Sequence, residues 1–124
     1  MRMHPVGSLL RSWIDWYEQA WRTAGTDALV DLFSADIRYW ASPWEEPVRG
    51  LTALRTFWDA ERDGPDETFD MTSEIVAVDG DTGVVRVEVA YANDTRWRDL
   101  WIVRFDADGK CKHFEEWPIA PPTH

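Results

Sequence analysis

The segment Trp97-Arg98-Asp99-Leu100-Trp101-Ile102-Val103-Arg104-Phe105 changes side-chain character at every step. Successive side chains of a strand point to opposite faces, so Trp97, Asp99, Trp101, Val103 and Phe105 share one face, and Arg98, Leu100, Ile102 and Arg104 share the other. The aromatic row is the face expected beneath a covering layer. Asp99 breaks it: a carboxylate in the middle of a tryptophan row.

The same period runs through the neighbouring segments. Phe69 to Val78, Val84 to Tyr91 and Cys111 to Trp117 read as strands, with Val85, Val87, Val89 and Tyr91 facing one way and Arg86 and Glu88 the other. Turn residues at 79–83, 93–95 and 106–109 separate the four strands, and consecutive strands joined so briefly are antiparallel. Upstream the period lengthens. Leu9, Leu10, Trp13, Tyr17, Ala20, Trp21 and Ala24 mark one face of a helix capped by Ser8 and stopped by Gly25. Thr26 caps a short second helix from Asp27 to about Phe33, and Asp36 to Ser42 reads as a strand ended by Pro43. Trp44 lies in the loop between Pro43 and Pro47, and Leu51, Leu54, Phe57 and Trp58 mark a third helix stopped by Gly64-Pro65. Three helices, one early strand and a four-stranded meander predict an α+β domain over residues 1–124, with helices on one face of an antiparallel sheet.

Composition narrows the function. A chain of 124 residues fits one core, and 13 Lys plus Arg against 23 Asp plus Glu give a net charge of -10. That balance argues against a nucleic-acid partner, whose phosphates demand concentrated positive charge. No apolar run approaches the ~20 residues of a membrane helix. The first residues lack the apolar stretch of a secretory signal, and the single Cys111 excludes an internal disulfide; the expected compartment is the cytoplasm. Nine tryptophans exceed the five Phe and three Tyr combined, so the aromatic side chains either fill the core or line a cavity for a flat hydrophobic ligand.

Two acids are candidates for chemistry. A buried Asp99 must be hydrogen-bonded, paired or protonated, and desolvation raises its proton affinity toward that of a general acid or base. The plainer alternative is a structural acid bonded to a Trp N–H or an arginine. In Phe114-Glu115-Glu116-Trp117-Pro118, alternation places Glu116 with Phe114, across from Asp99 if Phe114 is core. Two carboxyls in one pocket push their proton affinities apart; the alternative is a solvated pair of glutamates at a strand end.

Other patterns carry less. Asp106-Ala107-Asp108-Gly109 imitates a calcium loop, but Arg104 stands where the first ligand is needed, so a hairpin turn is expected. Cys111, His113 and Glu115 alternate onto one strand face; zinc would want a fourth ligand, and His4 and His124 lie near the ends, so no metal site is expected.

These residues resemble the SnoaL-like branch of the nuclear-transport-factor-2-like superfamily across essentially the whole chain. The local matches are Arg86-Val87-Glu88, Arg104-Phe105-Asp106 with Gly109, and Gly50 opening the third helix. The resemblance implies a cone, in which three N-terminal helices pack into a strongly curved sheet around a pocket. It implies a family of isomerases, polyketide cyclases, dehydratases, epoxide hydrolases and non-catalytic members, often dimeric. Laid on the ketosteroid isomerases, the proton-shuttling aspartate falls on Ser42 (or Ala41), the oxyanion-stabilising aspartate on Trp101, and the phenol on Tyr17. Two of three catalytic groups are thus replaced, which argues against that mechanism. Glu116 approximates the acid of the polyketide cyclases.

The expectation is therefore a cofactor-free pocket protein acting on a small hydrophobic carbonyl compound, with Asp99, Glu116 and Tyr17 as catalytic groups. Its expected ligand contacts are Trp13, Trp40, Trp44, Trp58, Val87, Val89, Trp97, Trp101 and Phe114. A homodimer through the outer sheet face is expected, where Arg86, Glu88, Arg98 and Arg104 alternate in charge. The alternative is a binding module for an apolar ligand or a protein partner, without catalysis.

Overall fold

Leu10, Trp13, Tyr17 and Ala20 fall on one side of helix α1 (Val6–Arg22), and all four are buried against the sheet. The computed structural model describes residues 6–61, 68–92 and 94–122. After α1 come α2 (Leu29–Leu32), β1 (Phe33–Trp40), β2 (Val48–Arg49), α3 (Leu51–Glu61), β3 (Phe69–Asp79), β4 (Thr82–Tyr91), β5 (Arg96–Phe105) and β6 (Cys111–Ile119). The strands form one curved sheet in the order β2-β1-β6-β5-β4-β3, giving the expected α+β arrangement of helices packed on one face.

The sheet departs from the expected antiparallel pattern at one seam. β1 runs parallel to β6, with Tyr39 opposite Phe114, while the other pairs are antiparallel; the sheet is mixed. β1 follows the helices rather than a hairpin, so the constraint that makes the meander antiparallel does not act on it. β1 also begins at Phe33, because Phe33 and Ser34 turn inward directly after the single turn of α2, whose first position Ala28 supplies no side-chain cap. Ser8 sits inside α1 rather than at its start. Two-residue β2, with Val48 opposite Tyr39, is too short to show a period. Gly25 does take the left-handed conformation after α1, with φ of 84°. The expected stop at Gly64-Pro65 and the residues His4, Asn93 and His124 lie outside the described residues.

A bulge corrects the reading of the last strand. Phe105 pairs with Cys111 but Arg104 pairs with His113, so one extra residue is inserted at Lys112. Cys111 therefore points into the core while His113 and Glu115 point outward, and the three never share a face. Asp106 closes the hairpin as a turn: its Oδ1 accepts from the N–H groups of Asp108 and Lys110 at 2.9 and 3.0 Å.

Trp13 centres the core. It meets Phe33, Trp101 and Phe105 edge-on, with ring centroids 5.7, 6.3 and 6.0 Å away, and its indole N–H donates to the Leu32 carbonyl at 3.0 Å. Such aromatic pairs each add ~1 kcal/mol beyond their burial. Leu10 covers Gly83 of β4 so closely that a Cβ there would lie 2.3 Å from Leu10 Cδ2. The space beneath the helices is thus filled toward Phe105 and Cys111, and it opens in the other direction, toward Asp99 and Trp97. Among the described residues, no helix is long and apolar enough to cross a membrane.

Candidate active site

Cross-strand register sets the two acids. Asp99 on β5 lies opposite Pro118 on β6, and Trp101 lies opposite Glu116. Asp99 and Glu116 are therefore diagonal neighbours on one face, within reach of each other's side chains. Asp99 is 6% exposed. Both acids wall a cavity of about 340 Å³ between the sheet and helices α1 and α3.

Burial dominates their protonation. It drives Glu116 well above the ordinary carboxylate range, and the hydrogen bond and negative charge of Asp99 push it further, with Glu61 adding to the effect. Burial also raises Asp99, while its bonds from the Glu116 side chain and the Ile119 backbone N–H pull it back. Both carboxyls are thus held above their usual range as one interacting pair, the stronger rise falling on Glu116, as expected for two carboxyls sharing one site.

Two phenols complete the wall. Tyr17 from α1 and Tyr39 from β1 share a hydroxyl–hydroxyl hydrogen bond of 3.0 Å. Burial holds both phenols well above their usual range; Tyr39 and then Glu116 add to the effect on Tyr17, and Glu116 adds to it on Tyr39. Both stay protonated; one donates to the other, which leaves the second hydroxyl's hydrogen for a ligand oxygen. Among the described residues three fully buried polar atoms face no protein partner: Trp58 Nε1 in the core, and Asp99 Oδ1 and Trp101 Nε1 on residues of the cavity wall. An unmade buried hydrogen bond costs ~1–3 kcal/mol, so the two atoms at the wall mark the places where a ligand gains most by binding.

Of the expected residues, the structure brings Tyr17, Asp99 and Glu116 together around the cavity, with Val89, Trp97 and Trp101 in its wall. Trp13, Trp58, Val87 and Phe114 are instead packed in the core, because the aromatic cluster seals them from the opening. Trp40 stacks on His113 on the outward face, with ring centroids 4.7 Å apart. Trp44 is 91% exposed in its loop and does not wall the cavity.

Sequence reasoning passed over Tyr39, Phe57 and Glu61, which also line the cavity. Their signals were present: Tyr39 alternates with Ile37 along β1, and Glu61 follows Phe57 by four positions, one helical turn.

A second cavity of about 530 Å³ lies on the outward side, lined by Glu88, Arg98 and the segment from Ile119 to Pro122 among others. It is larger, but its Arg98 and Glu88 pair with each other at 3.1 Å on the surface. Toward the other end of that face His113 Nε2 meets Glu115 at 2.7 Å. Burial raises Glu115, but the bonds from His113 and the Trp117 indole, with the charges of His113 and Arg104, together outweigh it and hold this carboxyl below its usual range. Among the described residues no three His, Cys, Asp or Glu side chains converge to hold a metal ion.

Comparison with known proteins fits this geometry. The family model described as the SnoaL-like domain matches residues 13–114. An NTF-2 like protein of unknown function from Burkholderia xenovorans superposes with a TM-score of 0.74 at 19% identity, covering 95% of this chain and 88% of that one. A protein assigned as a SnoaL-like polyketide cyclase from Jannaschia gives 0.71 at 16% identity, covering 95% and 90%. One assigned as a ketosteroid isomerase from Parabacteroides distasonis gives 0.61 at 23% identity, covering 87% and 86%. At these identities the likeness carries the fold. No curated protein matches the sequence.

Proposed function

The chain belongs to the SnoaL-like domain family, and from that premise we propose that it is an enzyme moving protons on a small hydrophobic carbonyl compound, in the manner of an isomerase, cyclase or dehydratase. The observation that carries this reading is the acid pair: Asp99, with an unpartnered Oδ1, beside a Glu116 that keeps its proton, both on the cavity wall.

The roles follow from the protonation states. Asp99 Oδ1 takes a proton from the carbon next to the carbonyl, and the bonding electrons move onto the carbonyl oxygen. Trp101 Nε1 and the Tyr17 hydroxyl are the donors in reach of the wall for that oxygen, in a site where low dielectric strengthens each bond. Glu116 returns a proton at a second position. No step in this sequence needs a cofactor.

Exchange of substrate protons for solvent deuterium, followed by NMR with isovalerophenone as the probe ketone, tests the reading. The wild type is expected to accelerate exchange next to the carbonyl, and Asp99→Asn to lose about 10²–10⁴-fold of that acceleration while still binding. Exchange equal in both proteins and in buffer would leave a binding module without catalysis.

The outward sheet face supports a second proposal, a homodimer. Leu100 stands opposite Trp117 and Val84 opposite Ile102 there, and Trp117 and Ile119 are 41% and 60% exposed. Charges of both signs, Arg86 with Glu74 and Arg98 with Glu88, flank this stripe in a pattern a second copy can complement. Sedimentation is expected to give a dimer, and Trp117→Lys a monomer. The net charge of -10 and the lone buried Cys111 support a cytoplasmic protein without a nucleic-acid partner.

A further inference from the structure

We infer that the cavity selects an organic cation, a compound with a protonated amine next to its carbonyl or hydroxyl oxygen, rather than a neutral or anionic one. This rests on the proposed acid-pair site and narrows its substrate class. Eight of the fifteen wall residues are aromatic, three are the acids Glu61, Asp99 and Glu116, and none is Lys, Arg or His.

That combination is lopsided in charge. Sites for carboxylates, phosphates or other anions commonly use a cationic donor, and among the described residues the wall offers none. Aromatic faces attract cations through the ring quadrupole, more strongly where the cation is desolvated. The Arg22 guanidinium sits 3.9 Å over the Phe69 ring and also pairs with Glu18, so it occupies one aromatic face and is not among the wall residues.

The unpartnered atoms set the ligand's polar geometry. Asp99 Oδ1 is an acceptor lacking a donor, on a residue only 6% exposed. An ammonium N–H supplies both the donor and the opposing charge on one lone pair of Oδ1, leaving the other for the proton of the neighbouring carbon. Trp101 Nε1, on a side chain 2% exposed, is a donor lacking an acceptor one position along the same row. An ammonium cannot satisfy it, but an oxygen on the same ligand can. Glu61, exposed at the end of α3, adds negative charge where the cavity meets solvent and draws cations in.

Calorimetry with a matched pair of probes tests this. α-(Dimethylamino)acetophenone carries the charge, and isovalerophenone has nearly the same shape without it. The cation is expected to bind at least about tenfold tighter, the factor that 1.4 kcal/mol of cation–π and ion-pair energy supplies. Asp99→Asn is expected to erase most of that preference, and Glu61→Gln to reduce it several-fold.

Equal or tighter binding of isovalerophenone overturns the cation inference and leaves the carbonyl reading standing. Binding of neither probe to folded wild-type protein overturns both. If Asp99→Asn does not fold, Glu61→Gln decides: an unchanged preference there contradicts the inference.

Discussion

Tyr17 and Tyr39 meet hydroxyl to hydroxyl at 3.0 Å, tying the first helix to the strand at the parallel seam of the sheet. Neither phenol is above 7% exposed, so the bond is made away from water. Tyr39→Phe removes one partner and leaves the Tyr17 hydroxyl buried. The expected cost is ~1–3 kcal/mol, measured by urea unfolding. Slower deuterium exchange should accompany it, because Tyr17 loses the neighbour that orients its hydroxyl.

Glu116 makes stability depend on pH with a definite sign. Its folded carboxyl holds its proton more tightly than the unfolded one, so the folded state binds more protons above about pH 4. Wild-type stability therefore falls as pH rises from that point through the raised value. Glu116→Gln removes the titrating group and keeps the shape. Thermal melts should show the variant's advantage growing toward alkaline pH. An advantage that shrinks with rising pH would place Glu116 in a polar, ionised setting instead.

Gly83 is required by close approach, not by a turn. It lies within β4 opposite Val103, and an added Cβ would stand 2.3 Å from Leu10 Cδ2. Leu10 is fully buried, so its side chain has no solvent into which to retreat. Gly83→Ala should destabilise the fold by ~1–3 kcal/mol, read as a lower urea midpoint. Gly83→Ala combined with Leu10→Ala should cost less than the sum of the two single changes, since the second removes the clashing atoms.

Trp13 anchors α1 through the Leu32 carbonyl. Trp13→Phe deletes that donor and opens a void among Phe33, Trp101 and Phe105. Loss of the bond costs ~1–3 kcal/mol, and the void adds to it. Ligand affinity should change little at a temperature where the variant is folded, because Trp13 does not wall the cavity.

The alternation of residues 97–105 was enough to place Asp99 and Trp101 inside, because a period of two leaves only two choices of face. It also put Glu116 beside Phe114, ahead of the bulge that reverses Cys111 against His113. That bulge was not legible, since an inserted residue changes the phase without changing the composition. The same limit hid the parallel β1–β6 seam, which depends on how far the chain travels between strands rather than on any local pattern. The tryptophans were the hardest to sort. Trp58 and Trp101 both face inward, yet only Trp101 reaches the cavity wall, a difference set by packing depth that no spacing records.

The central claim is that Asp99 and Glu116 act as one unit, holding a single proton at neutral pH. Carbon NMR titration of the two labelled carboxyls, each identified by its Asn or Gln variant, tests it most directly. The account predicts two well-separated steps, both above the ordinary carboxylate range of about 4, with Asp99 ionising before Glu116 and Glu116→Gln altering the Asp99 step. Two independent titrations near 4 would contradict it, and with it the assignment of base and acid in this cavity.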